Sequence, residues 1–169
     1  MKGVWHFKAE LPDGSIRRWT ADNEPTHEGL RNMLDVASNN SFHGNPNPPA
    51  PVWYFGYIDT AGFTTAGFDQ TDTLASHPGW QELSSPSRQR VASSPFQSII
   101  AADGKSALKS VFDRINSLPG PFSSRGILFT DVASGSAGIL WATADYNEGP
   151  QSLPAGTRVT FTYTIANNS

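Results

Sequence analysis

Cysteine is missing from all 169 residues. That excludes a disulfide framework, a thiolate metal site and a cysteine nucleophile. Charge is scarce too: Asp, Glu, Lys and Arg make up 16% of the chain, against about 25% in an average soluble domain. The net charge is −3, and no basic cluster goes beyond the pairs Arg17-Arg18 and Arg88-Gln89-Arg90. Binding bulk DNA or RNA needs a basic face that releases counterions, so nucleic acid is not an expected partner. No apolar run approaches the ~18 residues that span a bilayer. The opening Met1-Lys2-Gly3-Val4-Trp5-His6-Phe7-Lys8 lacks the apolar core of a signal peptide. The expectation is a soluble chain, made in a cytoplasm, without a membrane partner.

What the chain has in quantity is turn formers and aromatics: 15 Gly, 13 Pro, 10 Phe and 5 Trp. Such punctuation argues against a helical bundle and for a loop-rich β fold. Val4–Leu11 alternates, with Trp5, Phe7 and Ala9 on one face and His6, Lys8 and Glu10 on the other. Pro12-Asp13-Gly14-Ser15 then reads as a turn, and Ile16–Thr20 as the returning strand, with Trp5 and Trp19 facing each other. From Thr26 to about Ser38, Leu30, Met33, Leu34 and Ala37 form one helical stripe, with Asp22, Thr26 or a neighbour as cap. Gly29 inside it costs about 1 kcal/mol relative to Ala. Ser41–Pro51 holds Pro46, Pro48, Pro49 and Pro51 and reads as a stiff linker. It divides an N-terminal hairpin-helix arm (1–50) from a C-terminal body (51–169), not necessarily as independent domains: the arm either clasps a neighbouring subunit or packs with the body in one monomer.

Within the body, Val52–Thr60 is apolar on both faces, as a central strand is. Asp72–Ser76 reads as a helical turn, and Trp80–Leu83 and Arg88–Ala92 as short strands. Leu108–Ile115 fits both periodicities and is assigned to a strand. Arg125–Val132 and Gly138–Ala144 form a second hairpin. In Thr157–Ile165, Val159, Phe161, Tyr163 and Ile165 point inward while Thr160, Thr162 and Thr164 point outward. The fold class is therefore mainly β: an antiparallel β-sandwich or jelly-roll-like body, with an N-terminal β-hairpin and one short α-helix.

Chemistry-bearing motifs are thin. Gly135-Ser136-Ala137-Gly138 has the wrong spacing for a nucleophile elbow. Ala102-Asp103-Gly104-Lys105-Ser106 lacks the first glycine of a phosphate loop. His6, His27, His43 and His77 never adopt a zinc-ligand spacing. Asp59, Asp69 and Asp72 sit around one loop without the dense pattern of a calcium site. Nothing selects a glycosidase pair among Glu10, Glu24, Glu28, Glu82 and Glu148. The five tryptophans, Trp5, Trp19, Trp53, Trp80 and Trp141, read as core, with sugar stacking as the alternative. The expectation is no enzyme, no metal and no cofactor.

The segment Trp53-Tyr54-Phe55-Gly56-Tyr57-Ile58, continued by Asp72-Thr73-Leu74-Ala75-Ser76-His77-Pro78-Gly79-Trp80-Gln81-Glu82, resembles a family of small proteins from tailed-bacteriophage and prophage gene clusters. Gly156–Thr164 is similar to the strand in which that family ends. The Tyr-x-x-x-x-Arg element that usually follows the first segment is absent, since Ser84–Val91 carries Arg88 and Arg90 but no tyrosine. The resemblance covers 52–83 closely and 125–166 loosely. It implies a β-rich virion structural protein and no catalytic residue.

The expected function is thus non-enzymatic: a capsid decoration or cement protein bridging neighbouring subunits in the virion, itself a homo-oligomer. Its partners would be the major capsid protein or neck and tail proteins. The alternatives are a neck, collar or tail component, and a carbohydrate- or receptor-binding module on a fibre. Trp5, Phe7, Trp19, Leu30, Met33 and Leu34 are the expected subunit contacts, on an arm whose removal leaves the body folded.

Overall fold

The computed structural model describes residues 2–32, 53–91, 97–100, 106–112 and 121–166. The first alternating run is strand β1 (Lys2–Glu10), and it returns as β2 (Ile16–Pro25). Gly14 closes the turn at φ +83°, a backbone conformation that costs glycine least. The pairing places Phe7 opposite Trp19, their rings stacked at 5.2 Å and 3°. Trp5 faces Ala21 instead, so the expected Trp5–Trp19 pair is corrected by two residues.

Thr26 starts the short helix α1 (27–32), its Oγ1 accepting the amide N–H of Gly29 at 3.1 Å. Residues 33–38 of the expected helix, and the proline-rich linker, lie outside the described residues. Gly29 has a reason to be there: a Cβ would collide with the backbone of Trp141. The penalty read from sequence is thus offset by close docking of the helix on the sheet.

The remaining strands are β3 (Trp53–Asp59), β4 (Gln89–Val91), β5 (Gln97–Ile100), β6 (Ser106–Phe112), β7 (Phe122–Thr130), β8 (Leu140–Tyr146), β9 (Gln151–Leu153) and β10 (Arg158–Ala166). All join one sheet, in the order β4-β3-β7-β8-β2-β1-β10-β6-β5, with β9 paired to β7. Every pairing is antiparallel. The 125–144 hairpin and the last strand stand where periodicity put them. Trp80–Leu83 makes only the single bridge Ile58↔Glu82, and Asp72–Ser76 is a tight turn closed by the bridge Thr73↔Ser76.

This is the mainly antiparallel β class expected, with the layers supplied by one sheet curled into a half-barrel. β3 and β10 are five steps apart along the sheet, which laid flat would separate them by about 24 Å. Yet Phe55 of β3 and Phe161 of β10 touch at 4.5 Å between ring centroids. Curling is what brings them together. Trp5 sits at the focus, 4.1 Å from the ring of Tyr163 and 5.6 Å from those of Phe129 and Phe161.

Two expectations fall here. The hairpin is not an arm attached to a separate body: β1 and β2 lie in the middle of the sheet, between β10 and β8. Trp5, Phe7 and Trp19 are buried in the chain's own core, so they have no surface to offer another subunit. Leu30 is half-buried. Met33 and Leu34 lie outside the described residues.

Among the described residues, the convex face is covered on one side only. Over β3, β7 and β8, the 60–88 segment lays Leu74 and Trp80 against Ile58, Leu128 and Leu140, with Phe63 and Phe68 packed at the margin. This second small core explains why β3 reads as apolar on both faces. Over β2, β1 and β10 the outward side chains are His6, Arg18 and Arg158, all exposed, with Thr160 and Thr162 half-buried.

Candidate functional site

Asp72 through Glu82 belong to the outer layer. Asp72 is buried, and its Oδ2 accepts the indole N–H of Trp80 at 2.7 Å and the amide of Asp69 at 3.1 Å. His77 stacks on the Trp80 ring at 3.8 Å, and its Nδ1 lies 2.9 Å from the Trp80 carbonyl oxygen. A buried indole N–H needs a partner, and a carboxylate eight residues earlier provides it. Farther along, the Arg88 guanidinium forks onto Glu82 (Nε 2.8 Å, Nη2 2.8 Å) and donates to the Gly135 carbonyl at 2.9 Å. The Arg88 side chain is 7% exposed, so this ion pair is internal. Gly56 makes room for it, since a Cβ there would press on the Glu82 carboxylate. The motif therefore fastens the outer layer to the sheet and presents no reactive group.

The half-barrel interior holds a second set of polar groups. Ser124 Oγ lies 3.3 Å from the Tyr146 hydroxyl and donates to the Gly126 carbonyl at 2.8 Å. The Tyr163 hydroxyl donates to Asn23 Oδ1 at 3.2 Å. Burial pushes the phenols of Tyr57 and Tyr146 well above their ordinary value. It pushes Tyr163 up to about 12, against the opposing effect of its bond to Asn23. In the unfolded chain such phenols ionise near pH ~10. The folded chain keeps protons that the unfolded chain gives up, so stability is intact below pH ~10 and falls as pH rises beyond it. Each phenol held protonated adds up to about 1.4 kcal/mol per pH unit to that loss, and the Tyr163 contribution fades near pH 12. Urea midpoints measured from pH 8 to 12, with absorbance at 295 nm, check this. Early ionisation of these phenols in a chain that remains folded would contradict it.

Among the described residues, the surface recesses include two of note. One, of about 440 Å³, is lined by Pro121, Phe122, Ser123, Ser152, Leu153 and Pro154. It is shallow, and its only polar side chains are serine hydroxyls. The other, of about 170 Å³, is lined by Asp22, Phe68, Asp69, Gln70, Thr143 and Asp145. Its carboxylates are largely occupied. Asp69 Oδ1 accepts the amide and hydroxyl of Thr71, the latter holding its carboxyl below the usual range. Asp145 receives the Arg125 guanidinium through two bonds of 2.8 Å, and Arg125 lies 4.7 Å from the Phe63 ring centroid.

Several other residues weighed for chemistry have structural partners. Glu10 pairs with Lys8 at 2.6 Å, Glu28 Oε1 accepts the Leu140 amide, and Glu148 accepts the Thr20 amide at 2.9 Å. Asp59 closes its own turn by accepting the Ala61 amide at 2.9 Å. His6 on β1 and His27 at the start of α1 are exposed, and His43 lies outside the described residues. Trp5, Trp19, Trp80 and Trp141 are buried, which removes them as a sugar-stacking platform. Among the described residues, no three His, Asp or Glu side chains converge on a point that could hold a metal ion. Comparison with protein-family models, with curated proteins and with solved structures finds no match.

Proposed function

We propose that this chain is a non-enzymatic structural protein of a tailed-phage virion, working through contacts with other protein subunits and most simply as a capsid decoration or cement protein. One observation carries the reading: the Asp72, His77, Trp80 and Glu82 side chains that bear the phage-family resemblance are engaged in fastening an outer layer to the sheet. A motif of that kind specifies a fold rather than a reaction. Five of the described carboxylates support the same conclusion, because Glu10, Asp59, Glu82, Asp145 and Glu148 are tied into a turn, an ion pair or a strand end. The contact surface, however, differs from the one the sequence suggests. With Trp5, Phe7 and Trp19 internal, the surfaces that the described residues leave for neighbours are the sheet edges and the convex face of β2, β1 and β10. A neck or tail position fits the same features, and copy number separates the two. In quantitative mass spectrometry of purified particles of the phage that encodes it, on the order of hundreds of copies means decoration, and about six or twelve means neck or tail. Complete absence from the particle would defeat the reading.

A further inference from the structure

We propose that the free edge of β2 at Ile16–Arg18 binds an extended acidic segment of a partner protein, which adds to the sheet as one more strand. β2 is ten residues long, but β8 pairs only with Ala21–Pro25 of it. Beyond that point β8 turns away, and β9 continues along β7. The last rung is finished locally: Thr20 donates its amide to Glu148 Oε2 at 2.9 Å, and its carbonyl accepts the Asn147 amide at 2.9 Å. Thr20 therefore directs both backbone groups away from β1. In an antiparallel ladder this orientation repeats every second residue, so Arg18 and Ile16 do the same. Among the described residues, neither Arg18 backbone group has a hydrogen-bond partner. Between β2 and β9 the link is a side chain, with Arg17 Nη1 donating to the Ser152 carbonyl at 3.1 Å.

Charge and polarity identify the occupant. Arg17 and Arg18 are exposed on this edge of a chain whose net charge is −3, while Arg158 lies two strands away on β10, across from Glu10. The acidic groups nearby are engaged: Asp13 accepts from Ser15 within its own turn, Glu10 pairs with Lys8, and Glu148 holds Thr20. Glu148 shows the chemistry directly, as a carboxylate already satisfies the neighbouring edge amide. Ile16, 47% exposed, adds an apolar neighbour on the same face as Arg18. The segment that fits is extended, with a carboxylate across from Arg18 and an apolar side chain across from Ile16. Free edges of this kind invite strand addition unless charge selects what may pair.

This inference refines the assembly reading above, yet it is tested without any particle, so the two can fail separately. The probe is the capped heptapeptide Thr-Glu-Thr-Val-Thr-Glu-Thr, titrated into the isotope-labelled full chain while backbone amide shifts are followed. Saturable shifts centred on Arg18 are expected. Replacing both glutamates of the probe by glutamine, or Arg18 by Glu (R18E), is expected to weaken binding about tenfold or more. Arg18→Lys, which keeps the charge, is expected to retain most of it. Absence of saturable shifts, shifts centred on β4 or β5, or equal binding of the glutamine probe would each overturn the proposal.

Discussion

A chain shortened to begin at Thr26 is expected not to fold. Removing β1 and β2 takes two adjacent strands from the centre of the sheet, leaving β8 and β10 without their neighbours. It also removes Trp5, Phe7, Ala9, Trp19 and Ala21 from the core. Burying one large side chain stabilises by roughly 1.5–3 kcal/mol, so losing three large ones and two alanines approaches the whole ~5–15 kcal/mol of a typical domain. Circular dichroism in the near ultraviolet, together with a thermal melt, distinguishes the outcomes. We expect no cooperative transition and no fixed aromatic signal. A truncated chain that melted sharply with native-like aromatic ellipticity would show the hairpin to be an accessory after all.

Trp5→Ala is the single substitution expected to cost most. Its ring stacks on Tyr163 at 4.1 Å and meets Phe129 and Phe161 at 5.6 Å, so both arms of the curled sheet rest on it. Deleting a buried tryptophan removes its transfer energy and leaves a cavity that rigid neighbours fill only partly, a loss of about 3–5 kcal/mol. Ile16→Ala, on a half-exposed side chain of the same hairpin, is expected to stay within about 0.5 kcal/mol. Urea midpoints of the two variants against the parent give the comparison. A Trp5→Ala loss as small as that of Ile16→Ala would mean that the ring does not pack as described.

The local parts of this fold were legible in the sequence. Alternation places Trp5, Phe7 and Ala9 on one face because strand side chains repeat every two residues, and Pro12 through Ser15 specify a turn by their backbone preferences. The register of a long-range pairing has no such local signal. Nothing in residues 2–10 announces that their second neighbour is 158–166, and so a central hairpin reads as an arm. The 60–88 segment hides for a different reason. Phe63, Phe68, Leu74 and Trp80 follow no regular period, so a covering layer looks like a polar loop. Asp72 and Trp80 were visible as parts of a motif, but the bond between them depends on a tight turn that periodicity does not report.

The pairing of Lys2–Glu10 with Arg158–Ala166 also governs the order of events in the cell. At ~5–20 residues per second, the aromatic hairpin emerges well before the strand that completes its seam. Until β10 has been made, the centre of the sheet stays open on that side, with its tryptophans and phenylalanines unsheltered. Contacts so distant along the chain place folding toward the millisecond-to-second range.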